Sequence, residues 1–227
     1  MTAVARGTTA LVWGAAATLA FVALRAVVAI GGHEPLAIDH WWNDLMADLT
    51  SDIWLVVAWV PAVVGGTIGM IVVGALLIVW LLWRGRRWDA ATLAIAMVAV
   101  VAIGASMAAV IGRTRPEDSL AESVATSFPS GHTAVATTVV MVLALVFRRW
   151  YVWALGAVWV LAMMWSRTYL HAHWLSDVVA GMLEGIAVAT VVWACMALWR
   201  TRRAARAQTP SSDEEPSTQQ SIERSTT

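Results

Sequence analysis

The chain has 227 residues, 59% of them apolar and only 13% charged. A soluble domain is nearer half apolar and a quarter charged, so this balance excludes an ordinary water-soluble fold. The formal net charge is zero and every one of the fifteen basic residues is arginine, which gives no basic surface for a nucleic-acid partner.

The apolar residues come in runs rather than in alternation. Residues 9–30, 53–83, 89–112, 131–147, 150–166 and 175–199 are each largely apolar. About 20 such residues cross a hydrocarbon core as a helix, with roughly 17 as the lower limit. The pattern therefore predicts an all-α integral membrane bundle of six transmembrane helices over residues 1–206. The first run exceeds the length of a signal-peptide core and is read as a retained helix. The connection 31–52 holds Trp41, Trp42 and acids at 44, 48 and 52, a spacing that puts Asp44, Asp48 and Asp52 on one helical face. Its His33, Glu34, Asp39 and His40 match no metal-ligand spacing, so it is read as an interfacial segment with polar groups toward water. Thr50, Ser51 and Asp52 suit the N-cap of the next span. That second run is too long for one upright crossing, about 46 Å at 1.5 Å per residue, and Pro61 with Gly65-Gly66 marks its expected bend. The single cysteine, Cys195, sits in the last run as a packing residue. Residues 207–227 are polar and Pro-containing and are expected to form a disordered cytoplasmic tail.

Arginine placement orients the bundle. Arg6, Arg84, Arg86, Arg87, Arg148, Arg149, Arg200, Arg202, Arg203 and Arg206 fall on one side of a six-span arrangement. The positive-inside rule makes that side, and both termini, cytoplasmic. The last of these clusters is placed to meet anionic headgroups of membrane lipids. Only Arg113, Arg115 and Arg167 lie in connections on the opposite side, which calls for a reason other than topology.

The residues that carry chemistry gather on that outer side. Gly112-Arg113-Thr114-Arg115-Pro116 follows the third span, Ser127-Phe128-Pro129-Ser130-Gly131-His132 opens the fourth, Ser166-Arg167 closes the fifth, and His173 and Asp177 open the sixth. Proline suits a helix start, and Ser130 and Gly131 would then present amides at a helix N-terminus to phosphate oxygens. Arg115 and Arg167 offer planar donors matched to phosphate. His173 and Asp177, four apart, share a helical face, so the carboxylate can hold the imidazole in one tautomer for attack. His132 is then available as general acid for the leaving alkoxide.

These stretches resemble the motifs of the type 2 phosphatidic acid phosphatase superfamily, which also includes the vanadium haloperoxidases. Its Pro-Ser-Gly-His motif stands here as residues 129–132. Its Ser-Arg motif, continuing to His and Asp, stands as Ser166-Arg167 through His173 to Asp177, and its first motif ends in Arg115-Pro116. The resemblance covers about residues 108–185. It implies metal-independent hydrolysis, without a cofactor, through a phosphohistidine on His173. His132 protonates the leaving group, Asp177 supports His173, and Arg115, Arg167, Ser130 and Gly131 bind the phosphate. The implied substrate is a lipid phosphate or diphosphate of the polyprenyl diphosphate, phosphatidate or phosphatidylglycerol phosphate type. The implied location is the cell membrane, multi-pass, with the active site extracytoplasmic. Phosphoryl transfer to another acceptor through the same histidine, and a non-catalytic lipid-binding role, are the competing readings.

The sequence departs from the family at three positions. Ala108 stands where the first motif begins with lysine, leaving Arg113 as the candidate for the missing charge. His171 replaces a small residue. Glu184, seven positions after Asp177, places an acid inside a span. A buried acid needs a partner or a proton, and Arg25, the one arginine well inside a predicted span, is the expected partner.

Overall fold

A computed structural model of the chain describes residues 3–121 and 126–208. Among them are eight helices and no strand: α1 (Ala3–Ile30), α2 (Ala37–Asp48), α3 (Asp52–Val64), α4 (Thr67–Trp83), α5 (Arg87–Ile111), α6 (Gly131–Phe147), α7 (Trp150–Tyr169) and α8 (Leu175–Gln208). The expected tail lies outside the described residues from 209 onward. Three helices, α1, α5 and α8, are long and apolar enough to cross a membrane, and a fourth crossing is added when α3 and α4 are taken as one broken span. These two meet at a 51° bend, at the Gly65-Gly66 pair, while Pro61 lies buried inside α3. Helix α6, at 17 residues, is at the short limit for a crossing.

The side-chain distribution is that of a bundle solvated by hydrocarbon. Large apolar groups stand outward, with Leu19 at 72%, Val98 at 71% and Ile68 at 80% exposure. The interior is instead rich in alanine, threonine and serine, with fewer large apolar groups and a few charges. Where lipid is as apolar as leucine, helix association depends on close van der Waals approach, which small residues permit. The α6–α8 seam shows this. A Cβ on Gly181 would lie 2.5 Å from the Ser130 carbonyl oxygen, and one on Gly185 would lie 2.6 Å from that of Ala134. Glycine at i and i+4 thus lets α8 rest on the backbone of α6 at the end where His132 and Asp177 emerge.

Helix ends then gather the chemistry. Helix α5 stops at Gly112, whose φ of 57° is left-handed, a conformation cheap only without a Cβ. The turn sends Arg113–Pro116 across the bundle end. At the opposite end Arg86 bonds Asp89 at 2.8 Å and stacks over Phe147, while Arg203 lies over Trp88, which meets Trp199 edge-on. Arginine-rich and site-bearing ends are therefore opposite ends of the same helices.

Segment 31–52 is more than an interfacial strip, because α2 packs on α7 and α8. Its Asp44 and Asp48 are exposed as expected, and Asp52 opens α3. Asp39, by contrast, is fully buried. Ser51 occupies the predicted N-cap of α3, but its amide donates to the Tyr169 hydroxyl at 3.0 Å.

The expected Arg25–Glu184 pair is absent. Both carboxyl oxygens of Glu184 and Nε of Arg25 are buried without a hydrogen bond. Glu184 turns toward α5, where a Cβ on Gly104 would sit 3.5 Å from Oε1. The acid therefore packs against α5 rather than meeting a cation on α1.

Candidate active site

The turn 170–174 between α7 and α8 is held by its own backbone: the amides of Ala172 and His173 donate to the Arg167 carbonyl at 3.0 and 3.2 Å. His171, at φ 50°, makes the reversal. The α5–α6 connection locks against this turn through Trp174 Nε1, which donates to the Thr114 carbonyl at 2.8 Å, and through the Leu120 amide to the Leu170 carbonyl at 3.0 Å. Ser127 closes the connection on itself, its amide donating to the Arg113 carbonyl at 2.8 Å.

His173 sits in this frame 3% exposed. Its Nδ1 is 2.8 Å from the Ser127 carbonyl oxygen and 3.7 Å from Asp177 Oδ2. A carbonyl can only accept, so Nδ1 carries the proton. On the other edge Arg115 Nη1 approaches Nε2 at 3.3 Å; a guanidinium can only donate, so Nε2 carries the lone pair. Two neighbours of opposite character thus select one tautomer. Burial pushes the imidazole below its ordinary value of 6.5, the Asp177 carboxylate opposes this, and the charges of Arg115 and Arg167 reinforce it. The product is a neutral imidazole with its unprotonated nitrogen beside a cation.

The expected phosphate ligands are distributed unevenly. Arg115 is anchored by the carbonyls of Ala172 and Thr126, which aim its guanidinium at His173. Arg167 is buried at the end of α7. Helix α6 begins at Gly131 with Ser130 as N-cap, so Pro129 precedes the helix instead of opening it. The Ser130 amide is not available as expected: it donates to the Asp177 carbonyl at 3.1 Å, tying α6 to α8. Its hydroxyl accepts from Thr133 at 3.2 Å. Gly131 is exposed, and the first-turn amides of a helix have no partner within it. His132 follows on α6, partly buried, with Nε2 3.8 Å from where a Cβ on Gly66 would lie. The α3–α4 bend therefore borders the candidate acid.

Arg113 lies behind this surface, fully buried. Its Nη1 donates to Asp177 Oδ1 at 2.6 Å and to Ser176 Oγ at 2.7 Å; its Nη2 donates to Asp39 Oδ2 at 2.7 Å and to the Glu34 carbonyl at 3.1 Å. Both terminal nitrogens are thereby engaged by the protein. Three participants escape sequence reasoning. Asp39 also accepts from the Ser176 amide and hydroxyl and from the Leu36 amide, Ser176 bridges the two charges, and the Ser127 carbonyl orients the histidine. The only advance signal was Arg113 itself, a cation on the disfavoured side.

Other polar groups at this end of the bundle serve structure. His40 meets Trp174 edge-on at 5.5 Å. His171 Nδ1 lies 2.8 Å from Asn43 Oδ1 and 3.1 Å from Asp118 Oδ2, linking α2 to both connections.

Comparison with known proteins places this geometry. The chain is 34% identical over 112 residues to an undecaprenyl-diphosphatase of Sulfolobus acidocaldarius, covering 46% of this chain and 54% of the relative. It is 38% identical over 76 residues to the putative undecaprenyl-diphosphatase YbjG of Escherichia coli, covering 31% and 36%. The matches thus span about half of the first relative and about a third of the second. In backbone, the chain is similar to the transmembrane PAP2 type phosphatidylglycerolphosphate phosphatase of Bacillus subtilis, with a TM-score of 0.72 at 18% identity over 82% of this chain and 96% of that one. It is also similar to LpxE of Aquifex aeolicus, with a TM-score of 0.62 at 22% identity over 70% and 96%. The sequence pattern of the PAP2 superfamily matches residues 90–201. That stretch contains the four helix ends that converge on His173; over it the sequence carries the pattern of the PAP2 superfamily, and the backbone shares the fold of these solved structures.

Proposed function

We propose that the protein is a membrane lipid phosphatase that hydrolyses a lipid phosphate or diphosphate through a phosphohistidine on His173. The observation that carries this reading is the selected tautomer: Nδ1 on the Ser127 carbonyl at 2.8 Å, and Nε2 directed at Arg115, 3.3 Å away. Nε2 attacks the phosphorus and the P–O bond to the lipid breaks. His132 donates its proton to the departing oxygen; water then attacks the phosphohistidine, passing its proton back to His132, which releases phosphate and restores the neutral His173 imidazole. Arg115, Arg167, the Ser130 hydroxyl and the first amides of α6 hold the phosphoryl oxygens, where preorganised donors stabilise developing charge. Arg113, with both terminal nitrogens engaged, orients rather than binds.

The names of the two curated relatives favour a polyprenyl diphosphate as the first substrate to try. Six crossings, with α3 and α4 counted as one, put the arginine-rich ends and both termini in the cytoplasm and the site on the extracytoplasmic face of the cell membrane. The test is phosphate release from polyprenyl diphosphate, phosphatidate and phosphatidylglycerol phosphate by purified wild type and His173→Ala. Release that depends on His173 supports the mechanism; equal release by both proteins overturns it. Product analysis also separates hydrolysis, which frees phosphate, from transfer, which yields a phosphorylated acceptor.

A further inference from the structure

Asp39 lies far from the motif region in sequence yet shares a buried network with it. Its carboxylate is fully buried, 2.7 Å from Arg113 Nη2, and Arg113 Nη1 is 2.6 Å from Asp177 Oδ1. Ser176 closes the ring: its amide and hydroxyl donate to Asp39 at 2.8 and 2.7 Å, and its oxygen accepts from Arg113 at 2.7 Å. Asp177 spends its other oxygen on the Trp174 amide at 2.9 Å, and that oxygen faces His173 Nδ1 at 3.7 Å.

We propose that Asp39 is a positioning residue for the reaction: through Arg113 and Ser176 it fixes the Asp177 carboxylate in the orientation it presents to His173. The inference rests on the phosphohistidine reading and deepens it. Without Asp39, Arg113 has one carboxylate in place of two. The guanidinium fork then rotates toward Asp177 and draws its charge away from the imidazole. Asp39 touches no reacting atom in this scheme, so its loss acts on turnover and on the titration of His173, not on phosphate affinity. His173 is faced by Asp177 from α8, by Arg167 from α7 and by Arg115 from the α5–α6 connection, with His132 on α6 at the same end. Asp39 of α2 and Arg113 stand behind Asp177. Removing the Asp39 charge makes this surrounding more positive, which lowers the imidazole's proton affinity.

The test is steady-state kinetics across pH on the full chain in lipid, with phosphate release from the best wild-type substrate and with His173→Ala alongside. Asp39→Asn, nearly the same shape, is expected to lower kcat by on the order of a hundredfold while KM stays within about twofold. The acid limb of kcat/KM should move to lower pH. Ser176→Ala, which leaves every charge in place and is the milder change, should lower kcat in the same direction by a smaller factor without moving the acid limb. Thermal unfolding of each variant separates folding from positioning. Unchanged kcat in both variants, or a loss confined to KM, overturns the positioning role while leaving the function intact. Wild-type phosphate release equal to that of His173→Ala overturns the function, and the positioning role with it.

Discussion

Burial around His173 sets the pH range in which its lone pair is available. The imidazole's proton affinity lies below the ordinary 6.5, with desolvation the largest cause, and the proposed attack requires the neutral ring. The acid limb of kcat/KM due to His173 is therefore expected below pH 6.5. Asp177→Asn removes the contribution that raises proton affinity, so its limb should fall at still lower pH while kcat drops; a limb that moves upward contradicts the assignment. The same sign governs stability: an unfolded chain takes up the proton near pH 6.5 and the folded one only at lower pH, so acidification through that interval costs stability. Ala108, half-buried on the last turn of α5, sharpens a second expectation. Since Arg113 is engaged by Asp39 and Asp177, it is not placed to replace the family's lysine. Ala108→Lys should therefore tighten substrate affinity by about tenfold, the equivalent of one charge-assisted hydrogen bond, read as KM or as inhibition by vanadate. Truncating Arg113 to methionine leaves two buried carboxylates without their cation and should cost about 3–5 kcal/mol in unfolding free energy.

Among elements, the α6–α8 seam decides whether the motifs meet. Gly181 touches the Ser130 carbonyl oxygen from α8, and the Ser130 amide donates to the Asp177 carbonyl on α8 at 3.1 Å. A Cβ at 181 has no flexible side-chain end to displace, only the backbone of Ser130 and Ala134 and the Cβ of Thr133. Gly181→Ala should thus cost about 1–3 kcal/mol as overpacking and reduce kcat by shifting the α6 start away from His173. Thermal unfolding and turnover are expected to fall together, whereas alanine at Gly85, where nothing lies within 4 Å of the added carbon but φ is 70°, should lower stability through backbone strain and leave turnover intact. Helix extents were legible from apolar runs because a crossing demands a minimum length, and the Gly65-Gly66 break because glycine pairs weaken a helix. The role of Asp39 was not. It is one of several acids in the 31–52 segment, three of which face water, and no periodicity distinguishes the one that meets Arg113 from α2. The tautomer was only half legible, since Asp177 is a side chain the eye can find while the closer partner of Nδ1 is a backbone carbonyl. Glu184 marks the reverse error: charge complementarity suggested Arg25, but the side chain points toward Gly104 of α5.

For the whole molecule, the separation of arginine-rich and site-bearing ends makes topology testable with one reagent. Cys195 is the single cysteine, so Cys195→Ser gives a background for placing others. In that background Glu117→Cys should react with a membrane-impermeant maleimide in intact cells, and Arg149→Cys only after permeabilisation. Reaction of both in intact cells contradicts the six-crossing orientation. The buried network of Asp39, Arg113 and Ser176 also has a consequence for biogenesis. Asp39 and Ser176 are 137 positions apart, so the bonds that shelter Arg113 cannot form until the last helix has left the ribosome and entered the bundle. Until then the nascent chain carries Arg113 and Asp39 without the α8 half of their cage, and both must wait in water at the membrane surface. Arrival of α8 completes the proposed catalytic group and the burial of these charges in one event.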